Sequence, residues 1–251
     1  MRYPRFMGLT AMFDRLRKAF AAPLGPAVTL PPSGQPVSNQ DVARWAAQQR
    51  IAMVAHAQDG HFDLGGDLGG HPWRLESGLP TRPYVQGLEL RGRADVGADP
   101  DAAVMVLNRP LREALERHVY SSITDSLRTS VDAHMPEEMR WLAMYEEVEW
   151  PELPVSFRRH FAVVAECAEH AQRWVHAPLV SQLLNAVEEA ADGPSAHSPL
   201  IVMLVRGKVY LRAEHRRGSL AETANATGIL LAAAQAAQQN LPPPPPAEPM
   251  S

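Results

Sequence analysis

The sequence has almost no cysteine, with Cys167 the single one among 251 residues. One cysteine cannot form an intramolecular disulfide, which excludes the disulfide-stapled folds of small secreted proteins and favours a reducing compartment. No stretch approaches the roughly 18 consecutive apolar residues that a transmembrane helix needs. The N-terminus also lacks the apolar run of a secretory signal peptide. These absences predict a cytoplasmic protein without a membrane-spanning segment.

Common enzyme signatures are absent as well. The chain has no G-x-S-x-G nucleophile elbow, no G-x-x-x-x-G-K-[ST] phosphate loop and no G-x-G-x-x-G dinucleotide fingerprint. The formal net charge is −4 at pH 7, so no overall positive field attracts nucleic acid. The sequence therefore predicts a non-enzymatic protein with no cofactor and no nucleic-acid partner.

What is present is the composition of a globular protein with unusual ends. Hydrophobic residues make up 45% and charged residues 21% of the chain, which is ordinary for a folded domain. Prolines crowd into residues 22–37 and into the C-terminal tail, where they predict extended chain. We predict a short helix and linker over residues 1–37, one α+β domain over 38–239 with a subdivision near 150 left open, and a disordered tail over 240–251.

The N-terminal segment carries a separate hypothesis. Residues 12–21 form an amphipathic pattern, with Phe13, Leu16 and Phe20 on one side and basic residues around the rest. Such a helix could attach the protein to a membrane surface, although about ten residues are marginal for a helix alone. Met12 opens this pattern and is a candidate start of translation.

Two runs between residues 71 and 93 alternate apolar and charged side chains, as in strands with one face in the core. If they pair antiparallel, the inward side chains are Trp73, Leu75, Tyr84, Leu88 and Leu90. The outward face then carries charges of both signs, namely Arg74, Glu76, Glu89, Arg91 and Arg93. The glycine-rich stretch just before these runs is predicted to form turns.

The rest of the chain supplies helices and a hairpin. Residues 200–205 and 208–215 flank Arg206-Gly207, a strong hairpin signal. Ser219 and Glu222 form a capping box that opens a helix to about residue 239. Further helices are predicted over 38–49, 110–127, 136–148, 168–176 and 179–191, with strands over 103–109 and 161–165; the run 51–57 fits either type. The fold class is α+β, a mostly antiparallel sheet made of a strand meander and a hairpin, packed with several helices.

Outward arginines are the first candidate binding site. Arg74, Arg82, Arg91 and Arg93, joined by Arg109, can present guanidinium forks to a carboxylate or a phosphate. Glu89 belongs to the same predicted site. The structural alternative is that Glu76 and Glu89 only pair with the arginines across strands.

Histidines are the second candidate. His56, His61 and His71 lie within sixteen residues, interleaved with aspartates, and imidazole with carboxylate suits zinc, manganese or iron. Their spacing matches no zinc motif, and solvated side chains on a polar loop are the structural alternative. A metal-dependent hydrolase remains the alternative function. Cys167 falls at a predicted helix N-terminus, but its glutamate neighbours disfavour a thiolate.

Two segments resemble known bacterial sequences. The pattern GGHPWRLESG, RPYVQGLELRGR, TDSLRTSVD and EEMRWLAMY is similar to a set of bacterial proteins without an assigned activity, over about residues 38–215. Residues 157–215 resemble a strand–helix–hairpin arrangement found in bacterial domains of unknown function. The resemblance implies a bacterial, cytoplasmic protein and transfers no mechanism.

Together these observations predict a protein-interaction or scaffold protein. It would bind another protein through the charged strand face and the proline-rich tail. The sequence leaves the oligomeric state and the identity of the partner open.

Overall fold

A computed structural model of the chain describes residues 39–56, 60–126, 136–190 and 198–244. The predictions made for residues 12–21 and 22–37, for residue 38 at the start of the first domain helix and for the end of the tail lie outside these residues. Within the described ranges, no helix is both long and apolar enough to cross a bilayer.

The described residues form seven helices and eight strands. The helices are α1 (Gln40–Gln48), α2 (Arg109–Ser126), α3 (Glu137–Met144), α4 (Val155–His160), α5 (Ala168–Trp174), α6 (Ala177–Ala190) and α7 (Leu220–Asn240). The strands are β1 (Ala52–Ala55), β2 (Phe62–Leu68), β3 (His71–Gly78), β4 (Leu88–Asp95), β5 (Val104–Asn108), β6 (Phe161–Ala165), β7 (Leu200–Val205) and β8 (Lys208–His215).

All eight strands belong to one sheet in the order β1-β2-β3-β4-β8-β7-β5-β6. Every neighbouring pair is antiparallel. The predicted α+β class is confirmed. Strands from both sides of residue 150 lie side by side in this sheet, while the domain boundaries themselves remain a prediction.

Local signals in the second half of the chain give the predicted elements. Arg206 and Gly207 have φ angles of 52° and 68°, the left-handed conformation that a tight hairpin turn needs at both central positions. The hydroxyl oxygen of Ser219 accepts a hydrogen bond from the Glu222 backbone N–H at 3.4 Å. Both the hairpin and the start of α7 are therefore set by short-range chemistry.

The glycine-rich stretch before the meander is mostly strand, which corrects the predicted turns. β2 runs through Gly65 and Gly66 and buries Phe62 and Leu64. A Cβ atom on Gly66 would lie 2.9 Å from the indole nitrogen of Trp73, so glycine here lets the ring lie against the backbone. Only the following pair, Gly69-Gly70, forms a turn. Within the run 51–57, whose type the sequence left open, Ala52–Ala55 form strand β1.

The larger core lies on one face of the sheet, under α1, α5, α6 and α7. α7 packs on β4 and β8 near the middle of the sheet. A Cβ on Gly92 would lie 3.0 Å from Leu230, so this glycine lets the helix approach closely. The indole N–H of the fully buried Trp174 donates to the Ala233 carbonyl at 2.9 Å, which ties α5 to α7.

A second, smaller core lies on the opposite face, where α2 and α3 cover β5, β6 and β7. The loop between β3 and β4, residues 79–87, places Tyr84 and Val85 in this second core. Tyr84 is buried as predicted, but on the opposite side of the sheet from Leu90. In the described residues, helical cover of this face does not extend to β1–β4.

We expect Gly207→Ala to destabilise the protein more than Gly70→Ala. Both glycines have positive φ, which costs an L residue about 1–2 kcal/mol. A Cβ at Gly207 would also lie 2.8 Å from the Ala98 carbonyl oxygen, whereas one at Gly70 meets nothing within 4 Å. Urea unfolding of the two variants checks this, and equal losses would show that the Ala98 contact does not matter.

Candidate functional site

The uncovered half of the second face carries most of the predicted arginines. Cross-strand partners share one side of a sheet, so the register places two rows here. One row is Asp63, Glu76, Arg91 and Arg212, and the next is Gly65, Arg74, Arg93 and Tyr210. We call these side chains, with Asp95 and Lys208 at their edge, the charged face. The predicted antiparallel pairing of the two runs is confirmed.

Most charges on this face are paired. The Arg74 guanidinium lies 2.7 Å from Asp63 and 3.0 Å from Glu76. Arg91 lies 3.2 Å from Glu76 and also donates to the Leu79 carbonyl at 2.9 Å. These pairs are partly exposed, so each contributes little to stability, but together they fix the positions of the guanidinium groups.

Arg93 is different. It is exposed, and its direct cross-strand neighbours on β3 and β8 are Arg74 and Tyr210. Within the described part of the chain, neither Arg93 nor the Tyr210 hydroxyl has a hydrogen-bond or ion-pair partner. Near its centre, the charged face therefore has one cation for which the described residues supply no counter-charge.

Two hollows lie on either side of the Arg74–Glu76–Arg91 pairs. The first, the Arg93 hollow, has a volume of about 430 Å³ and includes Pro72, Arg93 and Tyr210 in its lining. The second, the His56 hollow, has a volume of about 440 Å³ and includes His56, His61 and Leu79. The ion-paired side chains form the ridge between them.

Glu89 was predicted to face solvent, and this is wrong. Its exposure is 0%, because residues 79–87 fold over it. Its carboxylate accepts from the Thr81 N–H at 2.7 Å and hydroxyl at 2.8 Å, and it pairs with Arg212. Burial alone would raise the pKa of Glu89, but the hydrogen bonds from Thr81 and the charge of Arg212 outweigh it and hold that pKa below its ordinary value.

Arg82 also lies away from the open face. Its guanidinium Nε lies 2.5 Å from the carboxylate of Glu138 on α3, which is only 2% exposed. The Tyr84 hydroxyl donates to the same oxygen at 2.8 Å. Burial, and then the Glu138 charge, raise the pKa of the Tyr84 phenol. Arg82 and Tyr84 thus anchor the 79–87 loop rather than offer a binding group.

Arg109 likewise does not join the charged face. It lies at the start of α2, where its guanidinium pairs with Glu147 at 2.7 Å. Glu147 forms a β-bridge with Val164 on the edge strand β6. The contact therefore closes part of that sheet edge, which is a structural role.

The three predicted metal ligands are not brought together. His56 lies 2.9 Å from the carboxylate of Asp63, and its backbone N–H donates to the His61 carbonyl at 3.1 Å. His71 pairs with Leu68 at the other end of the β2–β3 hairpin, about 20 Å along the strand. Among the residues that the structure describes, no group of three or more His, Cys, Asp or Glu side chains is placed to hold a metal.

A buried serine–histidine pair escaped the sequence analysis. Ser77 and His215 are 4% and 3% exposed, and the Ser77 hydroxyl lies 2.8 Å from His215 Nε2. The hydroxyl donates to the Gly60 carbonyl at 2.7 Å, so the imidazole Nε2–H is the donor to Ser77. A serine that gives its only proton to a carbonyl is not activated as a nucleophile. The pair joins β3, β8 and the turn at Gly60.

Cys167 occupies the predicted position immediately before α5 and forms no disulfide. In the described residues it has no hydrogen-bonded base to activate the thiol. It therefore supports no nucleophilic role.

We expect acid to destabilise the protein through His215. Burial lowers its pKa to about 4 from an ordinary 6.5, so between these values the unfolded chain binds the proton more tightly. The stabilisation is complete above pH 6.5 and is lost as the pH falls towards 4, up to about 3 kcal/mol. Urea unfolding between pH 7 and 5 should show a shallower pH dependence for His215→Gln, and identical slopes would contradict this assignment.

Glu89→Gln should destabilise the protein by about 2–4 kcal/mol, because an amide leaves Arg212 without its charge partner and directs N–H groups at Thr81. The matched change Glu76→Gln, on the same face but partly exposed, should cost less than about 1 kcal/mol. Urea unfolding measures both, and equal losses would argue against a special role for Glu89.

Comparison with protein-family models, with curated proteins and with solved structures finds no match to this chain. The geometry of the charged face is therefore the basis on which a function is proposed.

Proposed function

We propose that this protein is a non-enzymatic, cytoplasmic docking protein whose charged face binds an acidic segment of another protein. The observation that carries the proposal is the part of the second face that no described helix covers, where Arg93 has no counter-charge among the described residues. The proline-rich tail remains a predicted second contact.

The architecture of the face favours recognition. The strands beneath it are held by the large core on their other side, and the 79–87 loop at its end is fixed through buried Glu89 and Glu138. Because the backbone beneath the face is already ordered, binding does not have to order strands or loops, which improves affinity.

The local charge favours an acidic partner. Arginines on the face can pair with carboxylates in a bidentate geometry, while the chain as a whole carries a net charge of −4. A long polyanion such as nucleic acid would meet repulsion beyond the face, whereas a short acidic segment would contact only the arginines. We therefore expect the partner to be a short acidic protein segment rather than nucleic acid.

The exposed hydrophobic residues fit the same proposal. Leu79 is 66% exposed and lines the His56 hollow. Val54 is 59% exposed, and its pairing with Asp63 places it on the same side of the sheet as the charged face. Apolar groups beside charged ones are typical of protein interfaces, where an apolar contact adds affinity and charge adds specificity.

The test is an array of ten-residue peptides of random sequence, probed with the full-length chain. Bound peptides should be enriched in Asp and Glu, and capture should weaken as salt is raised. Arg93→Glu should abolish most of the capture. Arg173→Glu, which changes an exposed arginine on α5 in the opposite layer, should leave it unchanged.

Two outcomes would overturn the proposal. One is equal capture of acidic and charge-neutral peptides. The other is an equal effect of the Arg93 and Arg173 changes, since this would show that charge anywhere on the surface, rather than the charged face, attracts the peptides.

A further inference from the structure

We infer that Arg93 is the centre of a subsite for a single carboxylate group, formed with Arg74 and Tyr210 in the Arg93 hollow. This inference rests on the proposed function and names the chemical group by which the acidic partner is anchored. It assigns Arg93 as the residue that determines specificity on the charged face.

The first argument is the register of β3 and β4. Arg74 and Arg93 are direct cross-strand partners on the same side of the sheet, an arrangement that is destabilising for like charges. The charge of Arg74 is balanced by ion pairs with Asp63 and Glu76. Arg93 forms no ion pair with a carboxylate among the described residues. An anion bound between the two guanidinium groups would remove this repulsion.

The second argument is the balance of charges. The cations of the face are Arg74, Arg91, Arg93, Lys208 and Arg212, and the carboxylates in contact with them are Asp63, Glu76, Glu89 and Asp95. Each of these carboxylates already has a cationic partner. Asp67 and Glu214 lie on the same side of the sheet, but they accept from backbone N–H groups and do not contact these cations. Among the described residues, Arg93 is therefore the cation of the face that lacks a carboxylate partner. Because the face already holds more carboxylates than cations, it repels a phosphate dianion more strongly than a single carboxylate, which favours a carboxylate.

The third argument is the set of donors. A guanidinium group can bind both oxygens of a carboxylate at once. Tyr210 is the other cross-strand neighbour of Arg93, and its hydroxyl has no partner within the described ranges. Its ring is partly buried against the second core, so the phenol is held in place. The hollow, at about 430 Å³, lies towards the small end of the range for ligand sites and suits one side chain.

The first test uses N-acetyl-glutamate methylamide, a single blocked residue that presents one glutamate side chain without neighbouring residues. NMR spectra of the full-length protein record the arginine Nε–Hε signals during the titration. We expect the signal that disappears in Arg93→Gln to shift with the glutamate probe and to stay in place with the glutamine analogue. An unchanged Arg93 signal would overturn the carboxylate subsite. A larger shift with inorganic phosphate than with the glutamate probe would overturn the choice of carboxylate.

The second test measures the affinity of an acidic peptide taken from the array, by fluorescence anisotropy. Arg93→Gln should weaken binding about tenfold and Arg93→Lys less, because lysine keeps the charge and loses the planar fork. Tyr210→Phe should weaken it about threefold. Arg173→Gln is the matched control and should have no effect. All these side chains are at least partly exposed, and thermal melts verify that the variants remain folded.

The two proposals fail in different ways. If acidic peptides bind and Arg93→Gln binds them as tightly as the unaltered protein, the docking function stands and the subsite is wrong. If no acidic peptide is captured but the glutamate probe shifts the Arg93 signal, the subsite stands and the protein partner is wrong.

Discussion

The packing of α7 on β4 and β8 is the contact on which the rest of the structure depends. Gly92 lets Leu230 approach the strand closely, so one side of the central strands packs against the helices through a mostly apolar core. Because strand side chains alternate, Arg91 and Arg93 must then point to the opposite side. The charged face is therefore a direct consequence of how the core is packed, and the strands that carry its arginines are held in place by that core.

Two buried carboxylates shape the end of this face. Glu89 and Glu138 lie at 0% and 2% exposure, and an ionised acid is tolerated at such sites only when hydrogen bonds and cations surround it. Thr81, Arg82 and Tyr84 supply those groups from a single loop. The same bonds that satisfy the acids hold residues 79–87 against the sheet, so the rim of the face is formed before any partner arrives.

The uneven cover of the sheet gives the molecule two different halves. Over β5–β7 helices lie on both faces, and those strands are almost continuously apolar. Over β2–β4 and β8 the helices of the described ranges lie on one side only, and the strands alternate between apolar and charged residues. The apolar strands give way to the alternating ones at Tyr210, which contacts the second core on one side and is the cross-strand neighbour of Arg93 on the other. At this boundary, the proposed carboxylate subsite has the partly buried ring of Tyr210 on one side and the guanidinium groups of Arg74 and Arg93 on the other.

The sequence by itself determined the α+β class, the β7–β8 hairpin, the start of α7 and the pairing of two alternating runs, because turn chemistry, capping and period-2 patterns act over a few residues. The tertiary structure alone decided the rest. The glycines of β2 predicted turns instead of a strand, because their role depends on the Trp73 ring of β3 packing against Gly66. Glu89 is buried because a loop folds over it, and His71 lies apart from His56 because a hairpin separates them. Ser77 and His215 meet across 138 positions of sequence. Patterns over a few residues carry no information on contacts between residues far apart in the sequence. Those contacts are set by the packing of the sheet and its loops.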